Sequence, residues 1–356
     1  MAKNILIVDD SALIRSVLSG IINSDARFHV ADRAVDGVEA LELLRKKSYD
    51  AVVLDINMPR MSGLDLLKTL QKERISARVM IASTDTREGA KITMDCLELG
   101  AMDFIHKPDN TSDCRSEDFV RSFIETLAAV AEAKAPDSQV FTVDALKTAD
   151  SVSKLAEKHA SRISGKRIVA IASSTGGPRA LQSVIPLLPG RLKAPVVMVQ
   201  HMPVGFTASL AERLDSLSEL SIKEAAEGDV LQDGHVYLSK GGAHMNVVSH
   251  HGKSMIHYTD EPTREGVKPC ANYMYESLRD APFDEVVCVV MTGMGSDGTE
   301  GIKHLKEQKK VHVISQNAES CTVYGMPKAV ATAGLSDVVV PLSEIAQEII
   351  LRVGVR

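Results

Sequence analysis

RIVAIASSTGGPRAL, Arg167 to Leu181, is the stretch on which the fold turns. Ile168 to Ala172 is an apolar run of strand length. Ser173-Ser174-Thr175 and Gly176-Gly177-Pro178 then make a tight turn, and Leu181, Val184, Ile185 and Leu188 recur at helical spacing. A strand, a turn and a helix start put a hydroxyl at the carboxyl edge of a sheet, beside the free N–H groups of a helix N-terminus. A nucleophilic serine and a phosphate-binding loop are both built this way. Taken alone, Ser174 is most simply a helix cap.

Downstream, Pro195–Gln200, Glu285–Met291, Val311–Ser315 and Asp337–Val340 also read as buried strands, which predicts an α/β parallel-sheet domain over residues 166–356. Between them, His235–Leu238, His244–Ser249 and Ser254–Tyr258 alternate in polarity. Gly241-Gly242 and His251-Gly252 join them, so they read as an antiparallel hairpin excursion. Upstream, strand runs Asn4–Val8, His29–Ala34, Ala51–Leu54, Arg78–Ala82 and Met102–Ile105 alternate with helical patterns around Ser11–Ser24, Gly37–Lys46, Ser62–Lys72, Gly89–Leu99 and Ser116–Lys134. Five βα repeats imply a doubly wound parallel sheet over residues 1–135. The polar stretch 136–165, opened by Pro136, reads as a linker with room for a short helix.

Composition excludes several classes. The 356 residues are 44% hydrophobic and 25% charged, with a net charge of −6, and no basic stripe of the kind nucleic-acid binders carry is present. No apolar run approaches the roughly 18–20 residues of a membrane span. Ile5–Val8 is only strand length and ends in Asp9-Asp10, unlike a signal peptide. Five cysteines without a CxxC pair suit reduced thiols in a cytoplasmic protein.

Two groups of residues carry chemistry. Asp9 and Asp10 end the first strand, Asp55 the third, Ser83 and Thr84 the fourth, and Lys107 the fifth. Carboxyl ends of parallel strands converge on one edge, where clustered carboxylates repel and invite a hard cation such as Mg²⁺. In the second unit Ser174, His201 and Asp297 follow three different strands. A serine needs a base to take its proton, and a histidine needs a partner that fixes its tautomer. The sharpest competitor is Gly293-Met294-Gly295-Ser296-Asp297-Gly298, a GxGxxG match with Glu319 downstream. Its own Asp297 would repel a pyrophosphate, and it follows the domain's third strand rather than the first. His244, His250, His251 and His257 raise the question of metal, but His250-His251-Gly252 reads as a hairpin turn.

VDDS, LDINMPRMSG, AST and KP, in this order over residues 1 to about 130, resemble the receiver domain of bacterial response regulators, with a flavodoxin-like fold. The resemblance implies that Asp55 accepts a phosphoryl group from a histidine kinase. It implies that Asp10, Asp55 and the Asn57 carbonyl hold Mg²⁺ with Asp9 in support, and that Lys107, Ser83 and Phe104 form the switch. ASSTGGPRAL, QHMPVGFTASLAERLD, EGDVLQDGHVYLSKGGAHM, MTGMGSDGTEGIKHLKE and YGMPKAV resemble the catalytic domain of chemotaxis protein-glutamate methylesterases, over about residues 166–353. That implies Ser174 as nucleophile, His201 as base and Asp297 as its orienting acid, with Thr175 and the Met294 backbone as oxyanion donors and no cofactor.

Two departures stand out. Ala172-Ser173 replaces the usual Gly-Ala before the serine, and Cys270 and Asn272 replace a Pro-Ser…Asp pattern. The expectation is a monomeric cytoplasmic enzyme without nucleic-acid binding or membrane insertion, acting on the cytoplasmic helices of methylated chemoreceptors and deamidating specific glutamines. Phosphorylation would uncover its active-site edge. A serine hydrolase of other esters or peptides, and a non-catalytic binding protein, are the alternatives.

Overall fold

The computed structural model describes residues 2–84, 87–108, 110, 113–133 and 165–356. The chain divides into two compact units, with the division falling among residues 134–164. The linker reading and its short helix lie outside the described residues.

The first unit alternates strictly: β1 Lys3–Val8, α1 Ala12–Ser24, β2 Phe28–Ala34, α2 Gly37–Lys46, β3 Ala51–Asp55, α3 Gly63–Glu73, β4 Val79–Thr84, α4 Arg87–Glu98, β5 Asp103–Lys107 and α5 Glu117–Glu132. All neighbouring strands pair in parallel, in the order β2-β1-β3-β4-β5, the flavodoxin-like order. Helices cover both faces, so Ile5 through Val8 and Ala51 through Leu54 are almost completely buried. Hydroxyl or carboxylate caps start the helices where the sequence places them. Ser11 accepts from the Ile14 N–H, Asp36 from Val38 and Glu39, Ser62 from Asp65, and Ser116 from Phe119. The strand order reverses between β1 and β3, which brings Asp9 and Asp55 to one crevice.

The second unit contains β6 Arg167–Ser173, α6 Gly177–Val184, β7 Val196–Gln200, α7 Phe206–Leu217, β8 Ser221–Glu224, β9 His235–Leu238, β10 His244–His250, β11 Lys253–Thr259, α8 Ala271–Ser277, β12 Glu285–Val290, α9 Thr299–Lys306, β13 Val311–Gln316, α10 Met326–Thr332, β14 Val338–Val340 and α11 Leu342–Val353. Seven strands form one parallel sheet in the order β14-β13-β12-β6-β7-β9-β8. The excursion is smaller than the alternating pattern predicts. β10 and β11 form the antiparallel hairpin, but β9 lies in the main sheet, parallel to both β7 and β8. Val236, Tyr237 and Leu238 are all buried, as a strand covered on both faces requires. Its partner β8 shows no apolar run because, at the sheet edge, only Ile222 of Ser221–Glu224 is buried.

At the amino ends of the central strands the buried Glu285 carboxylate pairs with Arg167 and Arg352, fastening α11 to β6 and β12. All five cysteines are free and buried: Cys96 and Cys114 in the first unit, and Cys270, Cys288 and Cys321 in the second. Among the described residues no helix is long and apolar enough to cross a membrane.

Candidate active site and phosphoacceptor site

β6 is central, with β12 on one side and β7 on the other. Ser174, His201 and Asp297 therefore leave three adjacent strands at one edge. Register brings Ser173 opposite Gln200 and Ala172 opposite Val290.

The two serines have different fates. Ser173 is fully buried, and its hydroxyl donates to Gln200 Oε1 at 2.7 Å. The Gln200 amide nitrogen donates in turn to the carbonyls of Ser174 and His201, at 2.9 and 3.1 Å. Ser174 is only half-buried, and its hydroxyl has no hydrogen-bond partner among the described residues. Its backbone is tightly held: its N–H donates to Thr292, and its carbonyl accepts from Gly177 at 2.7 Å. Gly176 takes φ +75° to make the turn. Gly293 is required by proximity: a Cβ there would lie 2.7 Å from the Ser174 Cβ and 2.4 Å from the Met326 sulfur. The Gly293–Met294 backbone is thus pressed against the serine. The N–H groups of Thr175 and Met294 donate to nothing among the described residues, as oxyanion donors awaiting an acceptor would. Met294 is 40% exposed, whereas the Thr175 side chain is buried.

His201 Nε2 lies 2.7 Å from Asp297 Oδ2. A carboxylate only accepts, so Nε2 carries the proton and Nδ1 is the basic nitrogen. No hydrogen bond yet joins His201 to Ser174; catalytic contacts are often open until substrate arrives. Burial by itself would raise the Asp297 carboxyl. The His201 hydrogen bond and charge, with the Ala271 N–H and the Cys270 thiol, outweigh it and hold the group below the usual carboxylate range.

Sequence reading missed the supports. Gln200 is one; Thr292 is another, donating to the Thr175 carbonyl and receiving the Val323 N–H, while its own N–H goes to Gln316. The available signal was polarity at buried strand ends, since β7 and β13 both finish in glutamine. Among the described residues His244, His250, His251 and His257 do not gather into a group that could hold a metal ion. His250 and His251 instead sit at the tip of the β10–β11 hairpin, as expected from the sequence.

In the first unit Asp9, Asp55 and Lys107 converge. Lys107 Nζ donates to Asp9 Oδ2 at 3.0 Å and also to Asp55 Oδ1. The second carboxylate oxygens accept from the Ser11 and Asn57 N–H groups. Burial, partly opposed by Lys107, raises the Asp55 carboxyl, and Asp9 and Asp10 add to the rise. Burial would lower Lys107, but the two carboxylates more than reverse that, and it stays an ammonium. Ser83 and Phe104 are buried on β4 and β5, while Asp10 and Asn57 are exposed. Two buried carboxylates, Asp9 and Asp55, against a single ammonium form a hard, anionic oxygen pair. It fits Mg²⁺, which needs only one or two carboxylates and keeps its waters.

Residues 169–349 match the family described as CheB methylesterase, and residues 5–117 match the response regulator receiver domain. A protein-glutamate methylesterase/protein-glutamine glutaminase of Bacillus licheniformis is 41% identical, with 97% of each chain covered. The one from Pyrococcus abyssi is 39% identical over 97% of this chain and 92% of its own. Among solved structures, the CheB methylesterase catalytic domain of Thermotoga maritima is similar, with 41% identity and a TM-score of 0.51, covering 53% of this chain and 98% of that one.

Proposed function

The chain belongs to the CheB methylesterase family, and from that premise we propose that Ser174, His201 and Asp297 perform its ester hydrolysis. The protein is a protein-glutamate methylesterase/protein-glutamine glutaminase preceded by a receiver domain. The observation that carries the residue assignment is the convergence of a free Ser174 hydroxyl and a part-buried His201–Asp297 pair on three adjacent strand ends.

In this reading Ser174 Oγ attacks the carbonyl carbon of a glutamate γ-methyl ester, and His201 Nδ1 takes its proton. The N–H groups of Thr175 and Met294 receive the oxyanion. Collapse of the adduct breaks the bond to the methoxy group, which leaves as methanol with the proton from His201. Water, deprotonated by His201, then cleaves the acyl-enzyme, giving a carboxylate and free Ser174. A glutamine side chain follows the same route with ammonia leaving. Asp297 holds Nε2–H throughout and stabilises the imidazolium.

Control rests with the receiver. Asp55 takes a phosphoryl group from a histidine kinase. Asp10, Asp55 and the Asn57 carbonyl would hold Mg²⁺, with Asp9 in support, and the ion would neutralise charge on the phosphoryl oxygens. Lys107, Ser83 and Phe104 respond to the phosphorylated state. Phosphorylation shifts the population toward a form whose esterase edge is open to a chemoreceptor helix. We place the enzyme in the cytoplasm as a monomer, with a connecting segment over 136–165; five free thiols support a reducing compartment. Methanol release from methylated receptor tests the chemistry. Ser174→Ala, folded, is expected to abolish it, and substantial residual release overturns the assignment. Asp55→Asn is expected to abolish stimulation by a phosphodonor; stimulation that survives contradicts the control scheme.

A further inference from the structure

Asp297 is gripped by three consecutive residues, two of which depart from the family's usual pattern. Its Oδ2 takes the Ala271 N–H at 2.6 Å in addition to His201. Its Oδ1 takes the Asn272 N–H at 2.9 Å and the Cys270 thiol at 3.0 Å. Cys270 is itself anchored, because its N–H donates to Nδ1 of the buried His244 at 3.2 Å, and that ring packs edge-on against Tyr273. The Asn272 side chain secures the loop on the other side. Its Oδ1 accepts from the Gly298 and Gly301 N–H groups at 3.0 and 2.7 Å, and its Nδ2 donates to Glu265 Oε1 at 2.6 Å. The other Glu265 oxygen holds the Ser296 hydroxyl at 2.6 Å. Ser296 and Gly298, the residues on either side of Asp297, are therefore both tied to α8 or to the loop leading into it.

We propose that Cys270 and Asn272 are positioning residues for ester hydrolysis: the thiol completes the hydrogen bonding of Asp297 Oδ1 and the amide fixes the 296–301 turn, together aiming Oδ2 at His201. The proposal rests on the reading of Ser174, His201 and Asp297 as the reacting set. Chemically, Cys270 does what a serine hydroxyl does, and Asn272 supplies the acceptor oxygen that an aspartate would. The amide adds something an aspartate lacks, an N–H donor that meets Glu265 without charge repulsion. Burial, followed by the charge and hydrogen bond of Asp297, pushes the Cys270 thiol up, so it stays protonated and donates. A carboxylate with four donors is a weaker base than one with three. Cys270 therefore also tempers how strongly Asp297 holds the imidazolium. The other titratable groups around the carboxylate are His201, His244 and Tyr275, with Glu265 one residue removed through Asn272.

The test uses the full chain. Methanol release from methylated receptor is measured against pH, and the His201 ring is titrated by NMR, for the parent, Cys270→Ala, Cys270→Ser and Asn272→Ala. Cys270→Ala is expected to lower kcat about fivefold with KM within about twofold. It is also expected to move the His201 midpoint upward. Cys270→Ser recovers most of both, because the hydroxyl donates in the same place. Asn272→Ala lowers kcat and leaves KM in place. A Cys270→Ala enzyme with parental kcat and His201 midpoint overturns the proposal, as does a serine variant as impaired as the alanine one. Thermal melting identifies a variant that has only lost its fold, and in that event the serine variant carries the test. Ser174→Ala separates the two readings. Methanol release that survives it refutes the triad, while the His201 titration still reports on Cys270.

Discussion

Both units place a buried aspartate at the carboxyl edge of a parallel sheet and give it a basic partner: Asp55 with Lys107 and Asp297 with His201. The surroundings then drive the two acids apart. Burial raises both; at Asp55 it outweighs Lys107, with Asp9 and Asp10 adding to the rise, whereas at Asp297 four donors outweigh it and hold the group down. In the proposed roles, a single kind of strand edge thus supports an acceptor awaiting a new group and a fixed charge that must not change. The architecture supplies the edge, and the side chains supply the chemistry.

Four measurements can break or sharpen this contrast. Asp297→Asn carries the largest expected effect, about a 10⁴-fold loss in kcat as His201 loses its tautomer. A loss under about tenfold would make Asp297 structural rather than catalytic. Gly293→Ala comes next: the added methyl must displace Ser174 or Met326, and a displacement near 1 Å costs about 100-fold. Phosphorylation of Asp55 is expected to be undisturbed in that variant, which a phosphate-incorporation assay checks. Lys107→Ala is third. It leaves Asp9 and Asp55 facing each other without a cation, and phosphodonor stimulation is expected to fall at least tenfold; intact stimulation would remove Lys107 from the switch.

The smallest effect is on stability and has opposite signs in the two units. Asp55 is raised in the fold, so ionising it at pH 7 costs stability. Asp55→Asn is therefore expected to raise the melting temperature of the first unit at pH 7. Asp297 is lowered in the fold, so its contribution is present above the ordinary aspartate pKa near 3.8 and is lost as pH falls through its lower folded value. Asp297→Asn should thus melt earlier than the parent at pH 7, and the two should converge once the pH has fallen below the lowered folded value. Melting curves of both variants across pH decide it; shifts of the same sign at pH 7 would dissolve the contrast.

Much of this was legible in the sequence where chemistry sits directly on a strand end. Asp9, Asp55 and Lys107 close strands or directly follow one, as Ser174 and His201 do, and a parallel sheet gathers such positions without further information. Asp297 lies seven residues past the end of β12, so it was legible through its motif rather than through topology. β9 was misplaced because alternation in polarity does not report which neighbour a strand pairs with, and β8 was invisible because an edge strand with one buried residue has no hydrophobic signal. Cys270 and Asn272 were legible only as departures. Their grip on Asp297 spans 25–27 residues of chain, and nothing local says that the start of α8 will fold beneath that turn.

The burial of every cysteine has a practical consequence. A thiol reagent finds nothing to attack in the native protein, so each modification records a moment of opening. Cys96 and Cys114 keep time for one unit, and Cys270, Cys288 and Cys321 for the other. Mass-mapped labelling of the unaltered chain, with and without phosphodonor, would therefore show which half breathes first and whether a phosphodonor quiets or loosens the methylesterase half.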